Sequence, residues 1–371
     1  MDLNIDRDTL IRGLQRVQGI VERRTTNLAL AHVLLSARGD RLRMTATDTM
    51  VTLVADYPAV VRTENELCVD AQHLFQIARA LPDAVVSLSL ASSSRLQIRS
   101  GRSVFNLNTL PTEDFPPTAQ SESKRQLTLK GGDLSRMIEE TLFSISADDN
   151  RYGLNGAHLE EVKSGDGRRV RMVTTDGSRL SWSEAPFEGE IVMPRRVLLP
   201  RKALSEVRKL VEDREARWQI SMSDRSATFS TEGLVLVARL VDGEFPDYKQ
   251  VLPDRYRRRV VLGRAPFVDA LRRVSLVATD RNHSVRFSFD DESLTLSAEN
   301  MDLGDAHEEI GATLEGEPLT TGFNIKYFQD FLTPTSSEDL SLEMGEMLDP
   351  CIVRLSGRDD ALFVVMPMRL D

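Results

Sequence analysis

Asp176, Ser178 and Arg179 stand within the stretch TDGSRL, a carboxylate, a hydroxyl and a guanidinium close enough to serve as nucleophile and orienting groups. Such chemistry needs a base. None of the five histidines, His32, His73, His158, His283 and His307, lies beside that stretch. His307 is followed by Glu308 and Glu309 without a second histidine, so the paired-imidazole helix of a metalloprotease is missing. A phosphate-cradling loop and a glycine-rich strand-to-helix fingerprint are missing too. Cys68 and Cys351 lie far apart and form no CxxC pair, so they read as two small buried apolar residues rather than a disulfide or a zinc site. No catalytic residue, metal or cofactor is assigned.

The same stretch has a second meaning, because it recurs. MVTTDGSRL, from Met172, is echoed by MTATDTMVTL from Met44 and by LTLSAENMDL from Leu294, which puts Asp48, Asp176 and Glu299 in register at offsets of 128 and 123. VDAQHLFQIARALPD from Val69, LPRKALSEVRKLVED from Leu199 and FNIKYFQDFLTPTSS from Phe323 superimpose at offsets of 130 and 124. Their apolar positions agree: Leu74, Leu204 and Phe328, then Ile77, Val207 and Phe331. Asp114-Phe115-Pro116 returns as Glu244-Phe245-Pro246. The chain is three copies of one module, with expected boundaries 1–123, 124–254 and 255–371. Repetition favours a shared structural turn at Asp48 and Asp176 over catalysis.

Each module is the size at which a domain completes its own core, and 41% apolar residues suffice to fill three. No leader and no apolar run of about 18 to 20 residues is present, so a soluble intracellular protein is expected. A net charge of −10 argues against coating DNA by bulk electrostatics but allows a local basic surface.

In chain order, IDRDTLIRGLQRVQGIV places Leu10, Leu14, Val17 and Val21 at helical spacing. LAHVLLSA and RLRMTATD read as strands, and Asp70 caps a second helix ending near Pro82, before VVSLSLA and RLQIRS. The second module repeats the order with DLSRMIEETLFSI, where Asp133 is the expected cap. Asn155-Gly156 suits a tight turn needing positive φ or a bulged strand. Pro200 is expected in the first turn of RKALSEVRKLVED, followed by strands WQISMS, SATFST and LVLVARLV. The third has the helix APFVDALRRVSLVA, strands VRFSFD and SLTLSAE, and the terminal LFVVMPMRL, either a core strand or the lining of something. Arg12, Arg16, Arg23, Arg24, Lys202, Arg208, Lys209, Arg272 and Arg273 lie on or beside these helices, as solvated faces or as a binding surface.

The ordered set LPTEDFP, RYGLNG, TDGSRL, LPRKAL, VDGEFPDY and VVMPMRL resembles the bacterial DNA polymerase sliding clamp, the beta subunit of the replicative DNA polymerase III holoenzyme, from residue 1 to 371. The resemblance implies an α+β chain of three helix-strand-helix-strand modules, the DNA clamp fold. Two chains would join head to tail into a six-module ring, helices lining the hole and sheets outside. It implies a non-enzymatic processivity factor in the bacterial cytoplasm, at the nucleoid. The ring would encircle double-stranded DNA without reading sequence and tether the catalytic subunit of the replicative polymerase. It would also recruit the clamp loader, other polymerases and repair proteins.

Carried over by position, the resemblance assigns DNA contact to Arg24, Arg79, Arg151, Tyr152 and Lys202; Gln72 and His73 stand where the family often has basic residues. It assigns a partner-peptide pocket to Leu154, Thr175, Gly177, Arg179, Leu180, Pro246, Val251, Pro350, Val364, Val365, Met366, Pro367, Met368 and Arg369. That pocket takes a peptide with a glutamine and a leucine-phenylalanine pair. Ser178 replaces a common histidine and Gln250 a frequent arginine, which bears on peptide preference. Phe105, Leu276 and Val277 are assigned to the dimer seam. Two competing readings are an acidic three-module scaffold that never encircles DNA and an enzyme built on Asp176 and Arg179.

Overall fold

The computed structural model describes residues 1–371 apart from 23, 93, 119–125, 149, 152, 165–166, 191–192, 194–196, 254, 279–282 and 371, with the backbone alone at 92, 164 and 197. The described residues carry six α-helices: α1 (Arg7–Val17), α2 (Ala71–Ala80), α3 (Gly131–Glu139), α4 (Arg201–Leu210), α5 (Arg264–Val274) and α6 (Ile325–Leu332). Two fall in each repeat. Antiparallel strands make up most of the remainder, so the class is α+β.

Capping decides where the helices begin. Residues 2–6 form a strand rather than the start of α1, and Asp6 ends it by accepting from the Thr9 N–H at 2.8 Å. Leu10, Leu14 and Val17 are buried along α1, while Val21 lies beyond its end. A Cβ at Gly13 would sit 2.8 Å from Met44 Sδ and from the Tyr57 ring, so glycine lets α1 lie close on its sheet. Asp70 caps α2 through the His73 N–H at 2.7 Å. Asp133 lies inside the first turn of α3, paired with Arg136 at 3.3 Å, and does not cap it. That helix ends at Glu139, before the short 3₁₀ turn Leu142–Ser144. Pro200 closes the strand Val197–Pro200 and precedes α4 instead of entering it. Near Asn155 the positive φ falls on Gly153, at 87°, and Gly156 opens the next strand.

The chain forms two compact units. The first comprises Met1–Gly132, Glu188–Pro194 and Lys202–Leu240; the second comprises Asp133–Phe187, Arg195–Arg201 and Val241–Asp371. The middle repeat contributes to both. Within the first, 14 described strands make one sheet, in which Val51–Pro58 of repeat one pairs with Leu234–Arg239 of repeat two. Within the second, 13 described strands make another, and Arg179–Pro186 of repeat two pairs with Ala361–Val365 of repeat three. Both joints use the same strands: the one after the aspartate turn, and the last long one of the following repeat.

Two strands equivalent to these keep an open edge among the described residues. Gly304–Glu315 pairs along one side with Ser293–Asn300, and on its other side only from Ala312 onward. Ser103–Leu110 pairs fully with Arg95–Ser100, but opposite only at Thr109 and Leu110.

The helix positions matched in sequence, half-buried Ile77 excepted, lie in the cores. Leu74, Leu204 and Phe328 are all fully buried, and so are Val207 and Phe331. Repeat three packs aromatically: Phe328 meets Phe267, Phe287 and Phe323 with ring centroids 5.3–5.8 Å apart. The contacts with Phe267 and Phe323 are edge-to-face and that with Phe287 is stacked, and aromatic pairs of either kind add about 0.5–1.5 kcal/mol each beyond area burial. Cys68 and Cys351 are free and buried, and burial lifts the Cys68 thiol to about 11.

Candidate docking site

The site is built on the aspartate turn. Asp176 Oδ1 accepts from the backbone N–H groups of Ser178 (3.0 Å) and Arg179 (3.1 Å), and the Thr175 hydroxyl donates to the Arg179 carbonyl at 2.6 Å. Asp48 does the same for Met50 (2.8 Å) and Val51 (2.6 Å), with the Thr47 hydroxyl donating to Val51. Each turn needs positive φ at one residue, 87° at Gly177 and 76° at Thr49, a conformation glycine adopts without strain. In repeat three the carboxamide of Asn300 accepts from Asp302 (3.0 Å) and Leu303 (3.1 Å). Asn300, not Glu299, is therefore the equivalent residue, and its offset from Asp176 becomes 124, equal to that of the helices.

Both carboxylate oxygens of Asp176 serve the turn, since its Oδ2 accepts from Arg179 Nε at 3.0 Å. The Arg179 fork is equally committed. Nη1 donates to Asp330 Oδ2 of α6 at 2.7 Å and Nη2 to the Phe143 carbonyl at 2.6 Å, while the guanidinium lies 4.5 Å from the Tyr327 ring centre. One side chain thus ties the turn of repeat two to the second helix of repeat three.

Above this clamp opens a largely apolar cavity of about 440 Å³. The structure gathers Leu154, Thr175, Gly177, Arg179, Leu180, Pro246, Val251, Val364 and Met366 around it. It adds Glu244, Asp247 and Tyr248, which sequence reasoning passed over as lining residues although all three stand in the motif VDGEFPDY. Pro350, Val365, Pro367, Met368 and Arg369 do not line it. Alternation along the strand explains Val365, which is buried with Phe331 and Phe363 in the aromatic core. Met366 donates its N–H to the Ser178 carbonyl at 2.9 Å, and Met368 to that of Gly322 at 2.7 Å. The terminal stretch is both alternatives at once: a buried strand through Val365, then a lining residue.

The floor is rigid. Val173, Leu180, Trp182, Tyr248, Ile352, Leu362 and Val364 pack together. The Tyr248 hydroxyl accepts from Arg171 Nη1 at 2.7 Å and donates to Glu160, and burial pushes this phenol well above its ordinary range. Arg171 lies 4.3 Å over the Trp182 ring and donates Nε to buried Glu184 at 2.7 Å. His158 stacks on Phe245 at 5.3 Å, and burial holds its imidazole below the usual value.

Arg24 and Arg79 are exposed, Arg79 over the Phe75 ring at 5.7 Å. Arg151 donates to the Asp176 carbonyl at 2.7 Å, on the rim of the cavity. Lys202 donates to the Ile20 carbonyl at 3.1 Å and pairs with Asp48, bracing the turn of repeat one. Tyr152 lies outside the described residues. Other helix-face cations have carboxylate partners: Arg16 with Glu212 (2.7 Å), Lys209 with Glu206 (2.7 Å) and Arg273 with Glu308 (2.6 Å). Of the seam residues, Phe105 is 38% and Leu276 72% exposed, while Val277 packs partly against the core of repeat three.

A thrice-repeated clamp module with an apolar slot beside an aspartate turn defines the class as a DNA-clamp protein. The family described as DNA polymerase III beta subunit matches in three parts: its N-terminal domain at residues 1–119, its central domain at 128–247 and its C-terminal domain at 249–369. The beta sliding clamp of Caulobacter vibrioides is 34% identical and that of Escherichia coli 30%, each across the whole of both chains. A sliding clamp of Bartonella birtlesii, solved bound to griselimycin, superimposes with a TM-score of 0.94 at 32% identity, covering both chains fully. This chain belongs to the bacterial beta sliding clamp family, and its role is that of a processivity clamp in DNA replication. No helix among the described residues is long and apolar enough to cross a membrane.

Proposed function

We propose that two copies of this chain close head to tail around double-stranded DNA and that the cavity beside Arg179 docks the proteins that work there. The observation that carries the ring is the pair of open edges. Both joints described within the chain pair the strand after an aspartate turn with the last long strand of the next repeat. The leftover members are Gly304–Glu315 and Ser103–Leu110, which we pair between two chains. Phe105, Leu276 and Val277 then form the apolar seam. Leu276→Asp is expected to raise the dimer dissociation constant at least ten-fold, since it buries a charge where a leucine side chain was desolvated. Sedimentation at low concentration measures this, and an unchanged mass distribution would count against the seam.

Within the ring the chain is not an enzyme. Arg24, Arg79, Arg151, Tyr152 and Lys202 meet phosphates and position the duplex without reading bases. Retention comes from linkage, so few and loose contacts suit sliding. The nine assigned residues that line the cavity, Leu154, Thr175, Gly177, Arg179, Leu180, Pro246, Val251, Val364 and Met366, receive peptides of the replicative polymerase, the clamp loader, other polymerases and repair proteins. A micromolar complex needs about −8 kcal/mol, which a few buried apolar anchors supply after ordering costs. Met366 repacks around different partners. Module boundaries near 123 and 254 and action in the bacterial cytoplasm complete the reading.

The test is topological. The protein is loaded onto a nicked circular duplex with a clamp loader, and the circle is then cut once. Rapid loss from the linear form with retention on the circle is the expected result. Equal retention on both would mean binding by affinity and would sink the ring.

A further inference from the structure

The repeats place two sheet faces in register residue for residue. In repeat two, Arg171 stands opposite Glu160 on one neighbouring strand and Glu184 on the other, and Val173 opposite Trp182. In repeat one, Arg43 stands likewise between Ser36 and Asp56, and Thr45 opposite Val54. The central ion pair is kept. Arg43 donates Nε to Asp56 Oδ1 at 2.7 Å and Nη2 to Oδ2 at 2.9 Å, as Arg171 donates Nε to Glu184.

The cover differs. Two residues past the Phe-Pro marker, repeat two has Tyr248, 5% exposed and seated over Arg171 with its hydroxyl between that guanidinium and Glu160. Repeat one has Thr118 at that position. Each change removes volume: Trp182 becomes Val54, Tyr248 becomes Thr118 and Glu160 becomes Ser36. Among the described residues the result is a cavity of about 320 Å³ lined by Ser36, Arg43, Val54, Asp56, Glu66 and Thr118, with others. That is the lower end of small-ligand cavities, about 300–1,000 Å³, and suits one aromatic side chain. Partners for a phenol remain. Arg43 is half exposed and can donate, and Glu66, which accepts from Ser36 Oγ at 2.8 Å and Arg38 Nη2 at 2.7 Å, can accept.

We propose that this slot on repeat one is a second docking site, and that its occupant is a tyrosine from an extended segment of a partner protein, seated as Tyr248 is in repeat two. A phenylalanine would fill the volume but make neither the hydrogen bond from Arg43 nor the one to Glu66, while partly covering both groups.

The test uses the full chain with methyl-labelled leucine and valine and N-acetyl-tyrosinamide as the probe. Saturable shifts at Leu34 and Val54 are expected, at least five-fold tighter than for N-acetyl-phenylalaninamide. Arg43→Gln should reduce that preference to below two-fold. Val54→Trp together with Thr118→Tyr should abolish the response, because the chain then fills its own slot. The single change Thr118→Tyr, at a half-buried position, gives the same readout should the double variant fold poorly. The proposal fails if the unaltered chain gives no saturable shift at Leu34 and Val54, if the two amides bind equally, or if Thr118→Tyr leaves the response undiminished. Shifts confined to Leu180 and Val364 would also overturn it, placing the probe in the cavity beside Arg179 alone.

Discussion

Arg179→Ala is expected to weaken peptide docking at least ten-fold and to lower stability by about 3 kcal/mol. The guanidinium holds Asp176, Asp330 and the Phe143 carbonyl at 3.0, 2.7 and 2.6 Å, with only 11% of the side chain exposed. Removing one partner of such a cluster leaves carboxylates uncompensated, which costs roughly 3–5 kcal/mol when burial is complete. The lower end applies, because Asp330 is 30% exposed and regains water. The cavity suffers directly, since the turn carrying Thr175 and Gly177 loses its anchor to α6. Arg179→Lys should recover little of this, as an ammonium cannot reproduce the fork. Thermal unfolding and titration with a fluorescent peptide bearing a glutamine and a leucine-phenylalanine pair read both effects. Unchanged affinity in Arg179→Ala would remove the clamp from the account of the pocket.

Arg358→Ala is expected to cost about 3 kcal/mol, because it leaves buried Glu140 with Arg136, at 3.4 Å, as its remaining charged partner. That carboxylate is 2% exposed and accepts from Arg358 Nη1 at 2.6 Å, Arg358 Nη2 at 3.2 Å and Ser183 Oγ at 2.6 Å. Asp360 shares the cluster, accepting from Arg358 Nε at 2.8 Å. Burial works to raise the Asp360 value, but the Arg358 hydrogen bond and the charges of Arg136, Arg358 and Arg169 outweigh it, so the carboxyl sits below its usual value. A depressed folded value contributes stability that is present above the unfolded value, about 3.9, and lost as pH falls through the lower folded one. The unaltered chain should therefore lose stability steeply below about pH 4, and Arg358→Ala less steeply there. Denaturant midpoints between pH 3 and 7 measure both, and parallel curves would exclude Asp360 from the acid response.

Much of this was legible from periodic apolar positions and turn chemistry, which act locally. Leu74, Leu204 and Phe328 announce one helix three times because burying one face demands the same spacing in each copy. Local signals misled where two residues compete for one role. Asn300 rather than Glu299 makes the third turn, since a carboxamide one residue later reaches the same backbone donors. Asp133 lies inside a helix that it was expected to cap.

The site divides along the same line. Val364 and Met366 were legible as apolar terminal residues, but Val365 faces the other way, and only the pleat separates them. Asp247 and Tyr248 were passed over because they meet the cavity through a turn whose path depends on Arg171 and Glu160, far away in sequence. Lys202 and Arg151 were assigned to DNA contact by resemblance, and the fold gives them Asp48 and the Asp176 carbonyl as partners. The sequence by itself determined three modules, their helices and strands, and the turn on which the pocket is hung, because these follow from patterns within some twenty residues. Tertiary structure alone decided which charges are spent on joints, which face of each strand lines a cavity, and that one repeat covers its arginine slot with Tyr248 while in another no described residue does, because those outcomes depend on side chains brought together from distant parts of the chain.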